Sequence, residues 1–134
     1  MLEQLKKNSM IPKTLRIWFL AHFAIDMIVA IPLMIAPEFV LGLFGFGSVE
    51  IVTARLVAAA LLAVGGTSLW MHKGSVESFR VMLKLKLLWS GFACLGIIWS
   101  IFEGSPNISW FVFVIFMVFF GIWFYYLDRL KKFN

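Results

Sequence analysis

Four apolar runs dominate the hydropathy pattern, at about residues 14–36, 49–71, 75–102 and 107–127, with short polar or glycine-rich breaks between them. Twenty residues of helix rise about 30 Å, the thickness of a bilayer's hydrocarbon core. The pattern therefore predicts an all-α, polytopic membrane protein: a single domain over residues 1–134 built as a four-transmembrane-helix bundle. Within the first span, IWFLAHFAIDMIVAIPLMIA, Pro32 should kink the helix and free the carbonyl of Ile28. The connection PEFVLGLFGFGSVE (37–50) is too apolar for a free loop and too short to cross. It reads as a short apolar interfacial segment broken by Gly42, Gly45 and Gly47. Ser48 is placed as N-cap of the second span with Glu50 in its first turn, and Ser105 with Pro106 as the start of the fourth. Residues 1–13 fit either a short surface helix carrying Leu2 and Leu5 or a frayed basic terminus.

Small residues predict how the spans pack. Ala59, Ala63 and Thr67, with Gly66 beside them, form one stripe on the second span, and Ala93, Gly96 and Ser100 form another on the third. In lipid such stripes let helix backbones approach closely, which places the second span at the centre of the bundle. The fourth span is apolar all round, as suits the most lipid-exposed helix.

Composition strengthens this picture. The chain is 62% apolar and only 14% charged, which excludes an ordinary soluble domain. Its net charge of +5 sits in short flanks between apolar runs, so the partner implied is the lipid bilayer and not nucleic acid. Of the 12 Lys and Arg residues, only Arg55 falls on the side that carries Glu38, Glu50 and Glu103. The other flanks, including a polar link with Lys73, Arg80, Lys84 and Lys86, lie on the side of both termini. The positive-inside rule then predicts a multi-pass protein of a prokaryotic inner (plasma) membrane with both termini cytoplasmic. Trp18, Trp70, Trp89 and Trp123 fall near the inner boundary, and Trp99 and Trp110 near the outer. A lone cysteine, Cys94, excludes an internal disulfide and a CxxC redox pair.

The chemistry concentrates in His22 and Asp26, one helical turn apart and on one face. An acid buried in a membrane is costly and is by default a functional hypothesis. Matching depths across the spans puts His22 level with Thr67 and Cys94, with Thr67 as the imidazole's partner. Asp26 falls level with Leu61 and has no polar partner except His22. Asp26, His22, Thr67 and Cys94 are thus the candidates for a proton or ligand site, against the alternative of a protonated carboxyl that only specifies packing. Arg55 is expected to reach outward to Glu38 or Glu103. A metal held by His22, Asp26 and Cys94 lacks a fourth ligand. There is no G-x-S-x-G, no H-E-x-x-H and no phosphate loop, so no catalytic residue and no cofactor are predicted.

The stretch APEFVLGLFGFGSVEIVTARLVAAALLAVGG (36–66) has a proline after the first span, an apolar re-entry ending in F-G, and an A-R-L start to a small-residue span. In this it resembles the DoxX-like group of small four-helix membrane proteins, many of unassigned function. The resemblance implies a compact four-helix bundle and carries no site residues. Function is expected to be that of a non-enzymatic accessory, interaction or self-associating membrane protein, partnered by itself or another membrane protein. The alternatives are a proton-coupled carrier or channel using Asp26 with His22 and, more weakly, a lipid- or quinone-linked enzyme subunit.

Overall fold

The computed structural model describes residues 1–2 and 9–131, so most of the surface helix expected over 1–13 lies outside the described residues. The chain is all-helical: α1 (Lys13–Ile35), α2 (Pro37–Leu43), α3 (Ile51–Met71), α4 (Val76–Phe102) and α5 (Ile108–Lys131). All but α2 are long and apolar enough to cross a membrane. The seven-residue α2 begins with proline at its first position and forms the apolar link between the first two spans.

The caps explain where the spans begin. Glu50 itself, and not Ser48, caps α3, its carboxylate accepting from the backbone N–H groups of Val52 and Thr53. Thr53, through its side chain and its N–H, and then Val52 hold the Glu50 carboxyl below the usual carboxylate range. Ser75 caps α4 by accepting from Ser78 N–H at 3.2 Å. At the start of α5 the Ser105 hydroxyl bonds that of Ser109 at 3.0 Å.

The spans pack as two antiparallel pairs, α1 along α3 and α4 along α5, and close backbone approaches between the pairs are few. Arg16 donates to the His72 carbonyl at 2.7 Å and Arg80 to that of Leu130 at 2.9 Å. These bonds gather the start of α1, the end of α3, the start of α4 and the end of α5 at one end, here called the terminal end.

The larger apolar cluster lies in that half and joins the pairs: Leu15 and Phe19 of α1, Phe79 and Leu83 of α4, and Phe119, Trp123 and Leu130 of α5. Phe19 meets Phe79 with ring centroids 4.7 Å apart and Trp123 at 5.9 Å, while Phe119 stacks on Trp123 at 5.6 Å. Trp123 is therefore a core residue and not the interfacial anchor its position in the sequence implied. The second cluster, Leu33, Ala54 and Ala58, lies at the opposite end between α1 and α3, with Val40 and Leu41 of α2 packed against it.

The α1–α3 seam also differs from the expected one. The buried face of α3 is Ala54, Ala58, Leu61, Gly65 and Ser68, while Ala59 and Ala63 are exposed and Gly66 has open space beside it. On α4 the buried face is Phe79, Leu83, Lys86, Ser90 and Cys94, and Gly96 is exposed with Ala93 at its margin. Helix α3 thus does pack through small residues, but on the Ala54–Ala58–Gly65–Ser68 face rather than the Ala59–Ala63–Thr67 stripe, and α4 uses a face that carries large apolar and polar side chains. Helix α3 packs mainly against α1 and does not form the centre of the bundle.

Candidate functional site

The buried seam of α1 runs Leu15, Phe19, His22, Asp26, Ala30, Leu33, a spacing of three and four that keeps all six on one face. Its two polar members meet those of α3 and α4. The Lys86 ammonium of α4 lies 2.6 Å from the Ser68 hydroxyl of α3 and 3.1 Å from His22 Nδ1. Asp26 Oδ2 lies 2.9 Å from the same Nδ1. Three helices from both pairs thus contribute to one buried cluster in which Lys86 is 1% exposed, Asp26 5% and His22 6%.

Side-chain direction accounts for the assembly. Helical side chains lean toward their own N-terminus, so Asp26 leans onto His22, and Lys86 leans toward the terminal end where the rings lie. Ser68 sits on the antiparallel α3 and leans the other way, up to the lysine. The Ser68 hydroxyl donates its proton to the Val64 carbonyl at 2.7 Å, which leaves its lone pairs to accept from Lys86. Aromatic faces complete the lysine's surroundings: its Nζ is 5.2 Å from the Phe19 centroid and 5.0 Å from that of Trp123. A desolvated cation–π contact of this kind contributes about 2 kcal/mol. His22 in turn stands edge-on to Phe119 at 4.8 Å and to Trp123 at 5.2 Å.

Gly65 of α3 makes the approach possible. A Cβ at that position would fall 2.6 Å from Asp26 Cβ and 2.9 Å from Asp26 Oδ2. Asp26 is therefore wedged against bare α3 backbone at Gly65, one turn along α3 from the Leu61 level that depth matching predicts.

The His22 ring nitrogen has two claimants. Lys86 Nζ approaches it as a donor, while Asp26 Oδ2, although near, has no hydrogen bond of acceptable geometry. The buried carboxylate oxygen is thus held close to the imidazole by charge and packing without the bond that would satisfy it. One titratable nitrogen placed between a carboxylate and an amine can pass or hold a proton according to which neighbour it faces.

The remaining predicted residues fall elsewhere. Thr67 back-bonds to the Ala63 carbonyl at 2.6 Å, and its neighbour Ser68 supplies the hydroxyl near His22. Cys94 is buried on α4 two turns beyond Lys86, about 12 Å along the helix, so it does not join the cluster. Among the described residues, no three His, Cys, Asp or Glu side chains come together as a metal site. Arg55 donates to the Met34 carbonyl at 3.2 Å at the end of α1, and Glu103 accepts from the Trp99 indole at 2.7 Å, so the expected Arg55 partners are replaced by backbone. Glu38 is exposed in the first turn of α2.

The residue that sequence reasoning missed is Lys86, assigned to a polar link outside the bundle. The signal was its register: Phe79, Leu83, Lys86, Ser90 and Cys94 fall on one helical stripe, whereas Lys84 points out.

A separate apolar pocket of about 240 Å³ opens at the opposite end, lined by Leu33, Leu41, Phe46, Val49 and Ala54 with Glu50 and Thr53 at its edge. It shares no residue with the cluster. No family model, curated protein or solved structure matches the chain.

Proposed function

We propose that the protein is a proton-coupled membrane carrier or channel whose proton site is the Asp26–His22–Lys86 cluster. The observation that supports this most is the placement of the amine at 3.1 Å and the carboxylate at 2.9 Å from one imidazole nitrogen, between two helix pairs. Intramembrane ionisable groups that face the bundle interior and pair with one another are the usual components of proton relays. All three groups are closed off from solvent, so proton exchange requires the pairs to part. The half away from the terminal end, where no buried apolar cluster joins the pairs among the described residues, offers the least resistance. With Lys86 inside the bundle, the basic flanks at the terminal end still outnumber Arg55 at the other, which supports a plasma-membrane protein with cytoplasmic termini.

The test is pH-driven flux of protons or small ions in liposomes. Flux in the parent that disappears with Asp26→Asn supports the proposal; absence of flux in the parent, or full flux in the variant, removes it.

A second function, that of a self-associating or accessory membrane protein, is favoured by one observation. The small faces at Ala59, Ala63 and Gly66 on α3, and at Gly96 on α4, are left uncovered within the single chain. Cross-linking in native membranes between cysteines placed at Ala59 and Ala63 tests it, and the absence of any cross-linked product would count against it.

A further inference from the structure

We infer that the Nδ1 atom of His22 is a proton-operated latch that bonds α1 to Lys86 of α4 when bare and releases that contact between the helix pairs when protonated. This rests on the proton-site proposal and adds what the proton does.

A ring nitrogen in the plane of an imidazole either accepts one hydrogen bond or donates one. In the structure the Lys86 side chain, from the second pair, approaches Nδ1 and Asp26 Oδ2 goes without a hydrogen bond. Because the Ser68 proton is committed to Val64, Lys86 must be the donor to Ser68, and its next N–H is available to a bare Nδ1. That is the joined state, with the imidazole proton on Nε2.

Adding one proton to Nδ1 reverses the partners. The new Nδ1–H is a donor whose nearest acceptor is the unsatisfied Oδ2 of Asp26, 2.9 Å away on the same helix, and a small rotation of the ring or the carboxyl brings the two into line. The same N–H faces the N–H of Lys86, and the imidazolium charge faces the ammonium, so the α1–α4 bond is replaced by a repulsion and the Lys86–Ser68 bond is left as the polar link between the pairs. A link between helices becomes a link within α1. The proton comes from water and is returned to it; no other group changes.

Among the described residues, no charge other than Asp26 and Lys86 is seen against His22. Among the residues that touch His22, α1 contributes Asp26, α4 contributes Lys86, and α5 contributes only the rings of Phe119 and Trp123. Helix α3 contributes the uncharged Ser68 through Lys86. The pairs hold together elsewhere through the aromatic cluster of the terminal half, so that cluster becomes the pivot and the opposite half the part that opens.

The experiment uses the full chain in lipid bilayers. Histidine labelled with ¹⁵N reports the Nδ1 state by NMR, with His72→Gln identifying the His22 signal. Spin labels at Ile28→Cys and Leu95→Cys, both exposed positions, report the spacing of α1 and α4 in a Cys94→Ala background. The expected result is that Nδ1 gains its proton and the label distance lengthens with one common pH midpoint. Asp26→Asn, which removes the charged acceptor, should move both midpoints together to lower pH. Protonation of Nδ1 at constant distance, or an Asp26→Asn variant whose midpoint matches the parent, overturns the latch. Flux is scored separately: a coupled shift without flux keeps the latch and removes the carrier, and flux without a coupled shift does the reverse.

Discussion

Replacing Gly65 with alanine should disrupt the cluster, while the same change at the next residue should not. At Gly65 the added Cβ would sit 2.6 Å from Asp26 Cβ, 2.9 Å from Asp26 Oδ2 and 3.1 Å from Met27 Cε. Carbon atoms in contact prefer about 3.5–4.0 Å, so the overlap with Asp26 Cβ is about 1 Å. The Met27 methyl is the end of a flexible side chain and can yield. Asp26 Cβ is fixed to the α1 backbone, so α1 and α3 must separate or the helix must rotate. Overpacking of this kind costs about 1–3 kcal/mol. That exceeds the roughly 0.6 kcal/mol average for one polar contact between membrane helices, so an average hydrogen bond gained elsewhere does not offset it. A Cβ added at Gly66 would meet nothing within 4 Å, and alanine there should be neutral or stabilising by helix propensity alone. Unfolding equilibria in bicelles or mixed micelles measure both. Equal stability of the two alanine variants would refute the proposed α1–α3 register and with it the placement of Asp26.

Lys86→Met removes the donor to both Ser68 and His22, and should destabilise the bundle by about 1–2 kcal/mol on the scale of intramembrane polar contacts; Lys84→Met, at an exposed position, should change stability by less than about 0.5 kcal/mol. A Lys86 effect no larger than the Lys84 effect, read in the same unfolding equilibria, would place the lysine outside the core. Because the Glu50 carboxyl is held below its usual range, its contribution to the start of α3 is full above the ordinary carboxylate pKa and disappears as pH falls through the lowered value. Hydrogen exchange at Val52 and Thr53 should accelerate in that acid window, and Glu50→Gln should make exchange there independent of it. Gly96→Leu, on an open face of α4, should leave the stability of the single chain unchanged and weaken self-association if that face is used; a folding defect in dilute detergent would mean the face is internal.

The spans were legible because apolar runs of this length have one economical solution in lipid; residues 37–50 were legible as an apolar interfacial segment, but helix or turn was left open, and Pro37–Leu43 is helical. Asp26 and His22 stood out because charge is rare inside such runs. Lys86 did not, for two reasons. It follows Arg80 and Lys84, so it reads as the last residue of a basic flank, and the densest apolar stretch of the third span lies beyond it. Helix α4 runs 27 residues, about 40 Å, close to the expected bounds, and Lys86 lies nearly three turns past its start on the buried face. The true depth match is displaced by two turns on α4, exchanging Cys94 for Lys86, and by one residue on α3, exchanging Thr67 for Ser68. On a helix a shift of one residue is a turn of about 100°, enough to move a hydroxyl from the packing face to its margin. Small-residue stripes mislead in the same way: composition marks where backbones can approach, but the partners' side chains decide which such face is used.

The site stands or falls on Lys86 being held inside the bundle against His22. Magic-angle-spinning NMR of the ¹⁵N-labelled protein in bilayers tests this directly through a through-space contact between the Lys86 ammonium and the His22 ring nitrogen. The 3.1 Å separation predicts a strong contact, absent in Lys86→Met, from an amine protected from exchange with water. A Lys86 amine that exchanges as freely as that of Lys84 and shows no contact with His22 would contradict it.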